Sequence, residues 1–143
     1  MDIVVRKPFD QGLFEENDPK TREVVKAFFA RRNIMLQDNP DKFGVDLIDE
    51  LTELKVEVER RSVWKTGEFP FGEINLPERK AKFFKDKNTC YVIVSEDYAY
   101  IGGISGSKIL GYLKDPKENQ NKYVAQGEKF YKIPKNQFKW YKI

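Results

Sequence analysis

The sequence predicts an α+β protein, an α/β sandwich whose mixed central β-sheet is flanked by helices, folded as a single domain over residues 1–143. A chain of 143 residues is within the usual size of one domain and can bury a core of its own. Apolar residues make up 40% of the chain and aromatic residues 14%, so side chains for that core are plentiful. Segments with helical periodicity alternate with segments of period two. This order is the one expected for helices packed against a mixed sheet.

The first element is a helix predicted over residues 19–32. Asp18 followed by Pro19 is typical of an N-cap with proline at the first helical position. In the run KTREVVKAFFARR, apolar residues share one helical face and charged residues lie elsewhere around the helix. The members of that apolar face are Val24, Val25, Phe28 and Phe29. We expect this face to pack on the sheet.

Two strands are predicted next, over residues 44–48 and 55–61. The first comes from FGVDLI, a short apolar segment with Asp46 inside it, which follows the polar turn segment NIMLQDNPDK. The second comes from LKVEVERRSVW, in which Val56 and Val58 alternate with charged side chains. A period of two gives this strand one apolar face and one charged face.

The second half of the chain predicts a short helix and further strands. KTGEFPFGEINLP, with two prolines and two glycines, is predicted as loop, and the basic segment ERKAKFFKDK after it as a short helix entered through Pro77. CYVIVS and YAYIGGI predict strands over residues 90–96 and 98–104. KILGYL is typical of a helical turn, and the lysine-rich, aromatic segment 126–143 predicts one or two strands.

Histidine is absent and Cys90 is the lone cysteine. This composition excludes an internal disulfide, a Cys/His zinc cluster and a Ser-His or Cys-His catalytic pair. Any chemistry therefore depends on carboxylates, lysine, arginine, tyrosine or backbone groups. The N-terminal segment lacks the apolar core of a signal peptide, and no segment approaches the roughly 20 apolar residues that span a bilayer. We expect a soluble, cytoplasmic protein without a membrane partner.

The most informative residue is Asp46, because aspartate is disfavoured in strands and here lies between two apolar residues. Glu57 and Glu59 follow on one face of the next predicted strand. If the two strands pair, the three carboxylates converge, and clustered carboxylates repel one another unless a cation joins them. Oxygen ligands of this kind suit Mg²⁺ or Mn²⁺, which could polarise a phosphodiester and lower the pKa of an attacking water. The alternative is an ordinary strand whose charged face is solvated.

FGVDLI followed by KVEVERR resembles the Asp and (Asp/Glu)-x-Lys motifs of the PD-(D/E)XK nucleases, a superfamily that includes restriction enzymes and junction resolvases. The resemblance covers residues 19–105. It implies a restriction-endonuclease-like fold and a Mg²⁺- or Mn²⁺-dependent endonuclease that hydrolyses phosphodiester bonds in DNA. It also implies that Asp46 and Glu57 bind the metal, with the backbone carbonyl of Val58 as a further ligand.

Glu59 stands where this family usually has lysine, although some restriction enzymes have glutamate there. The resemblance makes Glu59 the third catalytic residue, as a metal ligand or as the group that orients the attacking water. Arg61, Lys80 and Lys82 are the candidates for the missing positive charge. A non-catalytic module of the same fold, which has lost the lysine and binds nucleic acid or a protein, is the alternative function. An accessory protein without a nucleic-acid role is a third.

The charge distribution favours a polyanionic partner. Residues 1–57 carry 9 basic and 13 acidic side chains, whereas residues 58–143 carry 17 basic and 10 acidic ones. A basic half suits nucleic acid, so we expect DNA as the partner, with RNA as the alternative. Many nucleases of this fold cut two strands as dimers, which leaves a homodimer open. The predicted nucleic-acid contacts are Arg61, Lys65, Arg79, Lys80, Lys82 and Lys85. For the charges of ERKAKFFKDK, the alternative is a solvated helix face.

Overall fold

Two β-sheets organise the residues that the computed structural model describes, 11–118 and 128–143. The strands in chain order are β1 (Gln37–Asp38), β2 (Leu47–Ile48), β3 (Lys55–Arg61), β4 (Glu73–Pro77), β5 (Thr89–Ser95), β6 (Tyr100–Ser105), β7 (Lys117–Glu118), β8 (Lys129–Pro134) and β9 (Lys139–Lys142). The larger sheet has the order β1-β2-β3-β5-β6-β9, and the smaller has the order β4-β8-β7. In the larger sheet β3 and β5 are parallel, and every other neighbouring pair is antiparallel. The predicted α+β class with a mixed sheet is confirmed.

Most of the predicted strands are present close to their predicted bounds. The predicted strand 55–61 is β3, and the strands predicted over 90–96 and 98–104 are β5 and β6. The tail forms two strands, β8 and β9. Residues 126 and 127 of the predicted tail segment lie outside the described residues, as do parts of the predicted domain 1–143.

The predicted short helices are also present. ERKAKFFK forms the 3₁₀ helix Glu78–Lys85, which begins directly after Pro77 as predicted. The first helix of the chain is α1 (Gln11–Ala30). The helical turn predicted at KILGYL is the second α-helix, α2 (Gly106–Leu110). Because β3 and β5 are parallel, the chain must cross over between them, and the crossover includes β4 and the 3₁₀ helix.

The prediction that the first helix spans 19–32 is wrong at its start. α1 begins at Gln11 and continues through Pro19, since proline weakens a helix without always ending it. Its last turn closes with Asn33 in the left-handed region at φ 65°. The Ile34 N–H donates to the Phe29 carbonyl at 3.1 Å, the pattern of a Schellman cap. Among the described residues, no helix is both long and apolar enough to cross a membrane.

One face of the larger sheet packs against α1, as predicted. Val25 and Phe28 of the helix lie in one buried cluster with Val56 and Val58 of β3. Fully burying an aliphatic or aromatic side chain of this size stabilises a fold by roughly 1.5–3 kcal/mol. The apolar face of β3 therefore holds α1 on the sheet.

The other face of the larger sheet is covered differently from the prediction. Phe84 of the 3₁₀ helix packs there, but so do Ile74, Leu76 and Ile133 of the smaller sheet. The segment EINLP, predicted as loop because of its flanking prolines and glycines, is strand β4. Among the described strands, β4 is at the edge of its sheet and pairs with β8 alone, and Pro77 is its last residue, a place where a strand tolerates proline. The charged side chains of β3 thus face a second layer of the protein.

Candidate active site

Asp46 directly precedes β2, the strand that pairs with β3. The strand predicted over 44–48 is reduced to Leu47 and Ile48, because the residues before it form a turn closed by Asn39. The Asn39 N–H donates to the Asp46 carbonyl at 3.0 Å. The Asp46 carboxylate in turn accepts a hydrogen bond from the Val58 N–H at 2.8 Å. These bonds fix the carboxylate beside the middle of β3.

Glu57 is the buried carboxylate of the site. Its side chain is 9% exposed, and its Oε2 lies 3.1 Å from the Nζ of Lys80, whose side chain is 12% exposed. Burial raises the pKa of Glu57, Lys80 opposes the rise, and the neighbouring Asp46 carboxyl group adds to it, so the pKa reaches about 7. The Asp46 and Glu57 carboxyl groups are therefore direct neighbours.

Glu59 has a different environment from Glu57. Its Oε1 lies 3.5 Å from Arg61 Nη2 and 3.6 Å from Lys80 Nζ, and it accepts a hydrogen bond from the Tyr91 hydroxyl. Burial alone would raise the pKa of Glu59, but the charges of Arg61 and Lys80 and the Tyr91 hydrogen bond lower it to about 2. Glu59 is therefore an ionised partner of two cations.

Lys80 joins the two glutamates. It extends from the 3₁₀ helix and contacts both Glu57 and Glu59. Burial lowers the pKa of Lys80, but the nearby Glu59 and Glu57 charges outweigh burial and raise that pKa above its ordinary value. Of the three candidates for the missing motif charge, Lys80 contacts both motif glutamates, Arg61 contacts Glu59, and Lys82 Nζ lies 5.4 Å from the Phe83 ring centroid.

The expectation that three carboxylates converge is met only for two of them. Asp46 and Glu57 are neighbours, whereas Glu59 is held by Arg61, Lys80 and Tyr91. Within residues 11–118 and 128–143, no group of three or more histidine, cysteine or acidic side chains is arranged to hold a metal ion. The alternative of a solvated charged face is also wrong, since Glu57 is buried beneath the 3₁₀ helix.

A divalent cation fits the Asp46–Glu57 pair by its donor chemistry. Mg²⁺ is usually held by one or two carboxylates, with waters and substrate phosphates as its other ligands. Two adjacent carboxylates of which one has a raised pKa form an anionic pair that a cation would stabilise. The backbone carbonyl of Val58, predicted as a further ligand, belongs to the residue whose N–H binds Asp46.

The six predicted nucleic-acid contacts divide into two groups. Arg61 and Lys80 are internal: Arg61 donates to the Asn75 carbonyl at 2.8 Å and to the Tyr91 hydroxyl at 2.7 Å. The other four are exposed, namely Lys65, Arg79, Lys82 and Lys85. Lys65 pairs with Glu96 at 3.0 Å, and Arg79 lies 3.6 Å from Glu128. The exposed group is the one available to an external polyanion.

Tyr91 is the site residue that sequence reasoning missed. It stands opposite Glu57 in the β3–β5 register and is fully buried, with its hydroxyl between Glu59 and Arg61. Within the apolar segment CYVIVS, nothing distinguishes it from a tyrosine of the core.

Comparisons with known proteins add no family to this description. No protein-family model matches the chain, and no curated protein matches it. Membership of the PD-(D/E)XK superfamily therefore stays a prediction.

Replacing Glu57 by glutamine is expected to stabilise the metal-free protein at neutral pH. Because the folded-state pKa of about 7 exceeds the ordinary glutamate pKa of 4.5, the folded wild type retains a proton that the unfolded chain releases. The free energy of unfolding of the wild type therefore falls relative to that of Glu57→Gln as pH rises from 4.5 to about 7. Above that range the difference between the two free energies is constant. At about 1.4 kcal/mol per pKa unit, it reaches on the order of 3 kcal/mol at most.

Urea unfolding with a chelator, at about pH 4 and about pH 8, measures this difference. Glu50→Gln, at an exposed position, is the control, because it makes the same chemical change away from the site. If Glu57→Gln raises the free energy of unfolding equally at both pH values, or more at the lower one, Glu57 does not have a raised pKa.

Proposed function

We propose that the protein is a divalent-metal-dependent endonuclease of the PD-(D/E)XK kind that hydrolyses phosphodiester bonds in DNA. The observation that carries the proposal is the proximity of the Asp46 and Glu57 carboxyl groups, which the pairing of β2 with β3 brings together, with the Lys80 ammonium 3.1 Å from Glu57. Acid, acid and ammonium are the three groups that the two motifs supply in that family. In this chain the ammonium comes from the 3₁₀ helix.

Lys80 is proposed to replace the motif lysine. Glu59 occupies the motif position, and Lys80 Nζ lies 3.6 Å from its carboxylate. The positive charge therefore lies next to the position from which the family lysine would extend. Arg61 and Tyr91 hold Glu59, and Glu59 holds Lys80. Lys80 therefore supplies, next to Glu59, the positive charge that is lost because position 59 has glutamate in place of lysine.

Each residue then has a distinct part in hydrolysis. Asp46, Glu57 and the Val58 carbonyl would hold Mg²⁺ or Mn²⁺, which when bound lowers the pKa of a water and stabilises charge on a phosphate. Lys80 stabilises the negative charge that develops on the phosphate as water attacks. Glu59 positions Lys80. Burial of these groups strengthens their electrostatic interactions.

Contacts to the DNA backbone are assigned to the exposed Arg79, Lys82 and Lys85 around the 3₁₀ helix that carries Lys80, and to Lys65. Cations on this helix can bind phosphates near the site without reading sequence. Lys65 lies beyond the C-terminal end of β3.

The proposal is tested by cleavage of plasmid and branched DNA with Mg²⁺, with Mn²⁺ and with a chelator. We expect cleavage only with metal and DNA binding that weakens steeply as salt rises. The double variant Lys82→Gln/Lys85→Gln should reduce the slope of log affinity against log salt by about 1 to 2. Lys114→Gln/Lys117→Gln removes the same charge from exposed positions elsewhere and should leave the slope unchanged.

A non-catalytic nucleic-acid-binding module is the second candidate. It is favoured by one observation: Glu59 Oε1 contacts the cations Arg61 and Lys80, so that among the described residues of the site Asp46 and Glu57 are the two carboxylates left for a metal. Salt-dependent DNA binding without cleavage in either metal would establish this module. Absence of DNA binding even at low salt would reject both candidates.

A further inference from the structure

A cavity of about 360 Å³ opens on the face of the larger sheet that carries α1. Val92 and Gly103 of neighbouring strands line it from the sheet, and Phe28 lines it from α1. Tyr141 of the edge strand β9 completes the lining and lies 5.4 Å from Phe28, centroid to centroid. Its volume is within the range of small-molecule sites. Glu57 and Tyr91, on the opposite face of the sheet, do not line it.

Two adjacent glycines in β6 have different reasons for lacking a side chain. A Cβ on Gly102 would lie 2.5 Å from the Trp140 ring, so the packing of Trp140 requires glycine there. A Cβ on Gly103 would meet nothing closer than 3.8 Å, which is ordinary contact. Packing therefore does not require glycine at 103. Glycine within a strand often marks a place where a ligand approaches the backbone closely.

The polar groups around the cavity are cationic or neutral. Arg32, Lys108 and Lys139 contribute three positive charges, and no acidic residue is among the described residues that line it. Arg32 lies over the Phe28 ring, with its Cζ 3.6 Å from the ring centroid. Ser105 and Gln137 add a hydroxyl and an amide. A ligand that matches this set has an aromatic body, polar edges and a negative charge.

We propose that this cavity binds a mononucleotide, with the base over Gly103 and beside the adjoining Phe28 and Tyr141 rings, and with the phosphate among Arg32, Lys108 and Lys139. Aromatic side chains and arginine stack on bases, and amide and hydroxyl groups bind their edges. The carboxylate of a fatty acid would pair with the positive charges, but its alkyl chain could not form hydrogen bonds with Gln137 and Ser105. The site is separate from the proposed metal site, so it goes beyond the endonuclease function and does not depend on it.

Calorimetric titration of the full chain with AMP, GMP, CMP and UMP tests the proposal. A chelator is present and the titration is repeated in Asp46→Asn, so that binding at the carboxylates is excluded. We expect at least one nucleotide to bind at least tenfold more tightly than both its nucleoside and ribose 5-phosphate, because base and phosphate each contribute. Lack of binding by all four nucleotides, or equal binding of ribose 5-phosphate, would overturn the proposal.

Gly103→Val fills the cavity without removing a contact, and valine suits a strand. It should weaken nucleotide binding at least tenfold, while Gly72→Val, at an exposed position with nothing within 4 Å of its Cβ, should not. Lys139→Gln is the second variant, in case Gly103→Val does not fold. It should weaken binding of the nucleotide more than binding of its nucleoside, whereas Lys129→Gln on β8 should change neither. Unchanged nucleotide affinity in folded Gly103→Val, or in Lys139→Gln, would place the ligand elsewhere and overturn the assignment.

Discussion

Asp46→Asn is expected to reduce metal-dependent DNA cleavage by about 100-fold or more while leaving the fold intact. The asparagine side-chain oxygen can still accept the hydrogen bond from the Val58 N–H, so the connection between β2 and β3 persists. What disappears is one of the two negative charges proposed to hold the metal. The measurement is the cleavage rate with Mg²⁺ and with Mn²⁺, together with the urea unfolding midpoint.

Asp41→Asn is the matched control. Asp41 lies in the turn before Asp46, and its Oδ1 accepts a hydrogen bond from the Phe43 N–H that asparagine can also accept. The control makes the same chemical change without altering the proposed site, so its cleavage rate should equal that of the wild type. Full activity of folded Asp46→Asn would remove Asp46 from the mechanism.

The second large effect is expected at Lys80. Lys80→Gln leaves Glu57 without its cation and leaves Glu59 with Arg61 and the Tyr91 hydroxyl, so cleavage should be lost. Removing one partner of a buried ion pair typically destabilises a protein by about 3–5 kcal/mol, and we expect about 3 kcal/mol because Arg61 remains. Lys117→Gln, which removes an exposed lysine outside the proposed site, should show neither a loss of stability nor a loss of metal-dependent cleavage.

A rescue variant separates catalysis from stability. Glu59→Lys in the Lys80→Gln background returns a lysine to the motif position and removes the carboxylate that lost its partner. If Lys80 substitutes for the motif lysine, this double variant should recover part of the cleavage lost in Lys80→Gln. A folded double variant as inactive as Lys80→Gln would contradict the proposed exchange of positions.

The strands that carry the site could be predicted because a period of two marks a strand whatever covers its faces. The burial of the charged face of β3 could not, since alternation of this kind usually means that the charged side faces solvent. The covering layer includes the 3₁₀ helix and the smaller sheet, both later in the chain, and the prolines and glycines around β4 are typical of a loop. The start of α1 was missed because Pro19, a common first helical residue, lies inside the helix.

The acidic pair could be predicted, but its partners could not. Asp46 stood out as an aspartate between apolar residues, and pairing of β2 with β3 brings it to Glu57. Lys80 is one of several lysines in ERKAKFFKDK, and only the packing of the helix decides which one contacts the glutamates. Tyr91 is revealed by the β3–β5 register, which depends on a parallel crossover that local sequence patterns do not specify.

Titration of the metal-free protein with Mn²⁺ by calorimetry tests most directly whether Asp46 and Glu57 form a metal site. The wild type should bind Mn²⁺ at one site, with or without DNA, and Asp46→Asn should bind it at least about tenfold more weakly. The Asp41→Asn control should bind like the wild type. Absence of Mn²⁺ binding by the wild type, both alone and with DNA, would contradict the enzyme and leave the binding module.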